Sequence, residues 1–151
     1  MTLIMLMAWI FVIILILAVL FMPKRLTFRE NVIVFFSVGY FAWIAHFSTG
    51  LMADLYDLGS TKKVEFDDWL MVTLVPSLIS IVYLNFKKRD YGFLYIVIWT
   101  ILSTLGEFTL VQLEYMRYQG WKLWYSIPVY LLAYLILPWY LNSIIRKVND
   151  K

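Results

Sequence analysis

The sequence predicts an all-α, polytopic membrane protein: a single bundle of five transmembrane helices over residues 1–151. Three observations predict it. Five apolar segments of about 20 residues fill the chain, the length a helix needs to cross a bilayer. Hydrophobic residues make up 63% of the 151, above the roughly 45–50% usual in soluble domains. Lys and Arg are confined to the connections and the C-terminus, and their number alternates from one connection to the next.

Helix 1 is expected over about residues 3–22 and is apolar throughout, with Pro23 at its end because proline cannot continue the hydrogen-bond ladder. Only Met1 and Thr2 precede it and no small-residue cleavage site follows, so it reads as an uncleaved anchor. Lys24, Arg25, Arg29 and Glu30 form the first connection. Helix 2 is expected over about 31–53, with Gly39, Trp43, His46 and Gly50 on one face at spacings of three and four. Asp54 carries that face into the longest connection, where Asp54, Asp57, Glu65, Asp67 and Asp68 outnumber Lys62 and Lys63. Asp67 or Asp68 is expected to cap helix 3. That helix is expected over about 69–86, with Pro76 inside and Ser77 and Ser80 following. A proline there frees a carbonyl and kinks the helix, and in lipid a hydroxyl or a neighbouring helix must satisfy the freed group. Helix 4 is expected over about 91–113 with Trp99, Ser103, Glu107 and Leu110 on one face. Helix 5 is expected over about 125–145, with Pro128 in its first turn and Pro138 inside.

The five basic segments carry three, two, three, two and three Lys or Arg in turn, which puts nine of the 13 on one side and four on the other. The positive-inside rule assigns the nine to the cytoplasm. The N-terminus is then expected outside and the C-terminus inside, in a multi-pass protein of the cell membrane. Trp69, Trp121, Trp124 and Tyr125 fall at the outer boundary, and Trp139 and Tyr140 near the inner one, as ring side chains with a polar atom prefer.

Composition excludes several functions. Net charge is only +3 and no cysteine is present, so disulfides and thiol chemistry are ruled out. The placement of the cations speaks against nucleic acid as a partner. No G-x-S-x-G, H-E-x-x-H, P-loop or G-x-G-x-x-G motif occurs. With one histidine, a metal site would need mainly carboxylate ligands, and no metal or cofactor is expected.

Two groups of residues remain as candidate sites. The first is intramembrane: His46, Glu107, Trp43 and Ser103. Glu107 lies about 16 residues into helix 4 and His46 about 15 into helix 2, roughly 24 and 22 Å along at 1.5 Å per residue. Both helices start inside, so the two share a depth in the outer half. A His–Glu pair would satisfy both groups and could shuttle a proton. The plainer reading is an interhelical hydrogen bond that fixes packing. The second group is on the outer face: Asp54, Gln112, Glu114, Trp121, Trp124 and Tyr125. It suits a lipid headgroup, sugar or peptide, or simply the interfacial aromatic belt. The remaining serines and threonines, Ser77, Ser80, Ser103, Thr104 and Thr109, are expected to bond their own helix backbone.

The basic first connection, the proline of helix 3 followed by Tyr83-Leu84-Asn85, Glu107, and the run Tyr118-Gln119-Gly120-Trp121-Lys122-Leu123-Trp124-Tyr125 together resemble a known family. It comprises small, uncharacterised five-helix membrane proteins of spore-forming Firmicutes, first labelled from a clostridial hypothetical protein. The resemblance covers most of the chain and implies the fold and a bacterial cytoplasmic membrane. It implies no activity. The expected role is a non-enzymatic component acting through partner helices or its own copies, with Gly39, Gly50 and Gly106 permitting close approach. The alternative is a small transporter, ion-conducting subunit or ligand receptor with an outward-facing site near His46 and Glu107. A third reading is a membrane enzyme acting on lipid.

Overall fold

The computed structural model describes residues 3–59, 64–88 and 92–147. Lys62, Lys63, Arg89 and Lys151 of the charge pattern, and Tyr91 at the expected start of helix 4, lie outside the described residues. Five helices run in the order α1 (Leu3–Phe21), α2 (Phe28–His46), α3 (Phe66–Phe86), α4 (Phe93–Gln112) and α5 (Leu123–Tyr140). α2 and α5 each continue into a π-helical turn, Phe47–Met52 and Leu141–Arg146. Counting those turns, four helices among the described residues are long and apolar enough to cross a membrane; the apolar stretch described in α1, Trp9–Phe21, is shorter.

The helix starts differ from expectation for local reasons. α2 begins three residues early because Thr27 and Glu30 cap it reciprocally: the Glu30 N–H donates to Thr27 Oγ1 and the Thr27 N–H to Glu30 Oε2. This threonine-x-x-glutamate arrangement satisfies two of the amides that a helix start leaves open. α3 also begins three residues early: its N-cap is Glu65, not Asp67 or Asp68, and Asp68 sits inside the first turn, where Oδ2 accepts the Glu65 N–H at 3.0 Å. α5 starts at Leu123, which places Pro128 in the second turn rather than the first.

α3 is the centre of the bundle. It buries ten residues, among them the fully enclosed Ser77, Tyr83 and Asn85, and packs against α1, α2 and α5. The other helices bury few and turn apolar side chains such as Phe36, Phe41, Leu94, Ile101 and Leu132 outward. A bundle surrounded by lipid has this distribution, because apolar side chains facing hydrocarbon lose nothing by exposure. Gly39 lets α2 approach α3 closely: a Cβ there would stand 3.2 Å from Ser77 Oγ. Ser77 uses that proximity to donate to the Phe35 carbonyl of α2 at 2.9 Å, so it bonds a neighbouring helix and not its own. Ser103 likewise reaches across, to the Tyr134 hydroxyl. Thr104 and Thr109 do bond their own helix.

α3 remains one helix through Pro76. The sharper consequence of a proline appears in α5. Pro138 has no N–H to give the Tyr134 carbonyl four residues earlier. Tyr83 Oη from α3 donates to that carbonyl at 2.8 Å.

The two ends are built differently. At one end Asn85, fully buried, holds the α1–α2 connection: its Oδ1 accepts the N–H groups of Arg25 and Leu26, and its amide donates to Asn31 Oδ1 and the Ile81 carbonyl. Arg146 from the end of α5 pairs with Glu30 at 2.7 Å. At the other end lies a short antiparallel ribbon, β1 (Tyr56–Leu58) with β2 (Met116–Tyr118), pairing Tyr56 with Tyr118, Asp57 with Arg117 and Leu58 with Met116. Both segments read as loops in the sequence. The ribbon joins residues some sixty apart, a pairing that hydrophobic periodicity does not report. The Leu55 carbonyl accepts the consecutive N–H groups of Gln119, Gly120 and Trp121. Each helix ahead of the ribbon is followed by an acidic residue in the left-handed region, Asp54 (φ 51°) and Glu114 (φ 57°).

Candidate functional site

Glu107 is the buried carboxylate at the centre of a cluster under the ribbon. It is 7% exposed. Its Oε1 accepts from Tyr118 Oη at 2.5 Å and from Ser126 Oγ at 2.7 Å; its Oε2 accepts from Tyr130 Oη at 2.6 Å. O–H donors this close are typical of hydrogen bonds to a charged acceptor. Ser126 in turn accepts the Trp121 indole N–H at 2.8 Å. α4 thus supplies the acceptor, while β2 and α5 supply the donors.

The α4–α5 register explains why these residues meet. Ser126, Tyr130 and Tyr134 recur every fourth residue and make a polar stripe along α5. Trp99, Ser103 and Glu107 make the matching stripe on α4. Run antiparallel, the stripes set Glu107 against Ser126 and Tyr130, Ser103 against Tyr134, and Trp99 within ring contact of Tyr134.

His46 does not join Glu107. Its Nδ1 lies 3.1 Å from Tyr56 Oη, and Thr49 Oγ1 lies 3.4 Å from the same oxygen. Trp43 packs edge-on against the His46 ring and donates its indole N–H to Thr73 of α3 at 3.0 Å. Between the two candidate residues stand Tyr56 and Trp121, whose rings meet edge to face at 6.2 Å. That contact carries no hydrogen bond, and an indole N–H donates without accepting. The hydrogen-bonded path from His46 to Glu107 is therefore interrupted between Tyr56 and Trp121.

The second group of candidates, Asp54, Gln112, Glu114, Trp121, Trp124 and Tyr125, does not converge into one site. Trp121 and Tyr125 are in edge-to-face contact, and Lys122 lies over the Trp124 ring. Asp54, Gln112 and Glu114 are exposed. Asp68 accepts from Tyr115 Oη at 3.2 Å, which ties the ribbon to α3. Among the described residues, no group of three or more His, Asp and Glu side chains could hold a metal ion. An apolar groove of about 310 Å³ runs along α2, lined by Tyr40, Trp43, Ile44, Phe47 and Ser48. Its lining does not include Glu107.

Burial raises the phenol of Tyr118 above its ordinary range, and the hydrogen bond to Glu107 and its negative charge push the same way. Burial raises Tyr115 too, reinforced by the charge of Asp68 and the bond to it. Both hydroxyls therefore stay protonated, as donors, throughout the neutral range.

Sequence reasoning missed Tyr56, Ser126 and Tyr130 as partners. The four-residue spacing of Ser126, Tyr130 and Tyr134 was available as a signal, but in an apolar helix it reads as three ordinary aromatic-belt and serine positions until α4 is laid beside it. No family model, curated protein or solved structure matches this chain.

Proposed function

We propose that this chain is a multi-pass membrane protein with five spans, N-terminus outside and C-terminus cytoplasmic, acting as a non-enzymatic component that associates with partner helices or further copies of itself. The observation that carries the reading is Glu107: both carboxylate oxygens are taken by hydroxyls of the chain's own segments. A catalytic or transport carboxylate needs an open position for its substrate, and Glu107 instead joins α4, α5 and β2. The orientation draws support from the basic segments meeting at one end, where Arg25 contacts the Lys87 carbonyl and Arg146 pairs with Glu30. The small size and degenerate motifs suit the family of Firmicutes membrane proteins that the sequence resembles.

Purification in native lipid tests the role. A stoichiometric protein partner or a defined oligomer is the expected result. A lone monomer that dissipates an ion or proton gradient in vesicles, and loses that ability on Glu107→Gln, contradicts it. The second reading, an outward-facing transport or receptor site, has one observation in its favour: His46, Tyr56, Trp121 and Ser126 form a continuous run of side chains from α2 to Glu107.

A further inference from the structure

We infer that the α1–α2 connection is a binding site for an anionic phospholipid, with Lys24, Arg25 and Arg29 taking the phosphate and Phe21 and Phe28 the apolar part. All three cations are exposed. Arg29 has no partner among the described residues, Arg25 gives a single 3.4 Å bond to the Lys87 carbonyl, and Lys24 bonds the Val19 carbonyl. The carboxylate beside them, Glu30, is occupied by Arg146 and the Thr27 N–H. Among the described residues, no acid that is not already paired stands beside these three exposed positive charges.

Two further features make this more than a basic loop. Phe21 and Phe28 bracket the cations and are 86% and 85% exposed, so the surface joins positive charge directly to bare apolar rings. A ligand that matches both is amphipathic and anionic; a free phosphate matches only the charge. The connection is also held in place. Asn85 accepts from Arg25 and Leu26, Asn31 donates to the Leu26 and Thr27 carbonyls, and the Thr27–Glu30 box closes the start of α2. A pre-ordered site loses less entropy on binding than a flexible one.

The site rests on the chain lying in a bilayer, and the experiment separates the two ideas. The full-length protein is reconstituted in nanodiscs of phosphatidylcholine, or of phosphatidylcholine and phosphatidylglycerol in equal parts, and the lipids it retains are counted by native mass spectrometry. Failure to enter either nanodisc contradicts the membrane reading itself. Given insertion, phosphatidylglycerol is expected to be retained over phosphatidylcholine, with the preference falling about fivefold for each cation removed in Arg25→Gln/Arg29→Gln. Phe21→Ala/Phe28→Ala keeps every charge and is expected to weaken retention as well; this pair carries the test if the arginine variant does not fold. Lys122→Gln, at the ribbon end, is expected to change nothing. Equal retention of both lipids, an unchanged preference in both double variants, or full displacement by inorganic phosphate overturns the inference.

Discussion

The two ends of the bundle solve one problem, a buried polar side chain among apolar helices, in opposite ways. At the basic end, Asn85 is neutral and its acceptor and donors are spent mostly on backbone groups of one connection and its own helix. At the ribbon end, Glu107 carries the polarity and spends it entirely on side-chain hydroxyls from two other segments. Asn85 therefore shapes a local chain path, whereas Glu107 ties elements distant in sequence. The difference teaches that the ribbon end depends on side-chain chemistry that substitution can remove one atom at a time.

The largest effect is expected at Glu107. Glu107→Leu leaves three hydroxyls without their acceptor, at about 1–3 kcal/mol for each buried group orphaned. Glu107→Gln keeps an oxygen acceptor and the shape, so it should lose much less. Unfolding in detergent by denaturant titration, followed by circular dichroism, measures both; equal losses would show that shape, not hydrogen bonding, matters there. Asn85→Ala comes next, at about 1–3 kcal/mol, because the buried Leu26 N–H loses its acceptor. Its signature should be faster proteolysis in the α1–α2 connection with the ribbon end unaffected, and uniform cleavage would erase the contrast between the ends.

Gly59→Ala is expected to cost about 1–3 kcal/mol. Gly59 has φ +68°, and a Cβ there would stand 2.5 Å from Asp68 Oδ1, so the substitution strains the backbone and presses on the carboxylate that holds Tyr115. A thermal melt of this variant that matches the wild type would remove Asp68 from the account of the ribbon. The smallest substitution effect belongs to Arg146→Gln. The guanidinium is half-exposed, and such pairs are worth roughly 0–1 kcal/mol, a loss that added salt should reduce.

A pH series sharpens the comparison further. Tyr115 and Tyr118 have raised phenol values in the folded chain and ionise near their ordinary value, about 10, when unfolded. Their contribution is therefore complete below about pH 10 and declines as pH rises beyond it, because the unfolded chain then releases protons that the folded chain keeps. Melting temperature followed into the alkaline range should fall less steeply for Tyr118→Phe than for the wild type.

Much of the helical layout was legible in the sequence. Apolar runs bounded by Pro23, by charge and by Gly59 placed the helices, since in lipid the helix is the one open structure whose backbone satisfies itself. The face that Glu107 shares with Trp99 and Ser103 was legible from spacing alone. Its partners were not. Which helix lies opposite α4 is a matter of tertiary packing, and nothing local says that Tyr130 rather than His46 will reach it. The ribbon was hidden for the same reason, because Tyr56 and Tyr118 recognise each other only across the bundle. The reciprocal pairs Thr27–Glu30 and Glu65–Asp68 lay in plain pattern and moved two helix starts.

The central claim is that Glu107 is a structural tie made through hydroxyls. A double-mutant cycle of Glu107→Leu with Tyr130→Phe, read as unfolding free energy in detergent, tests it most directly. Residues in contact couple by about 0.5–3 kcal/mol. The account predicts a coupling in that range, with Tyr130→Phe costing stability beside Glu107 and nothing beside Leu. Losses that simply add would contradict it.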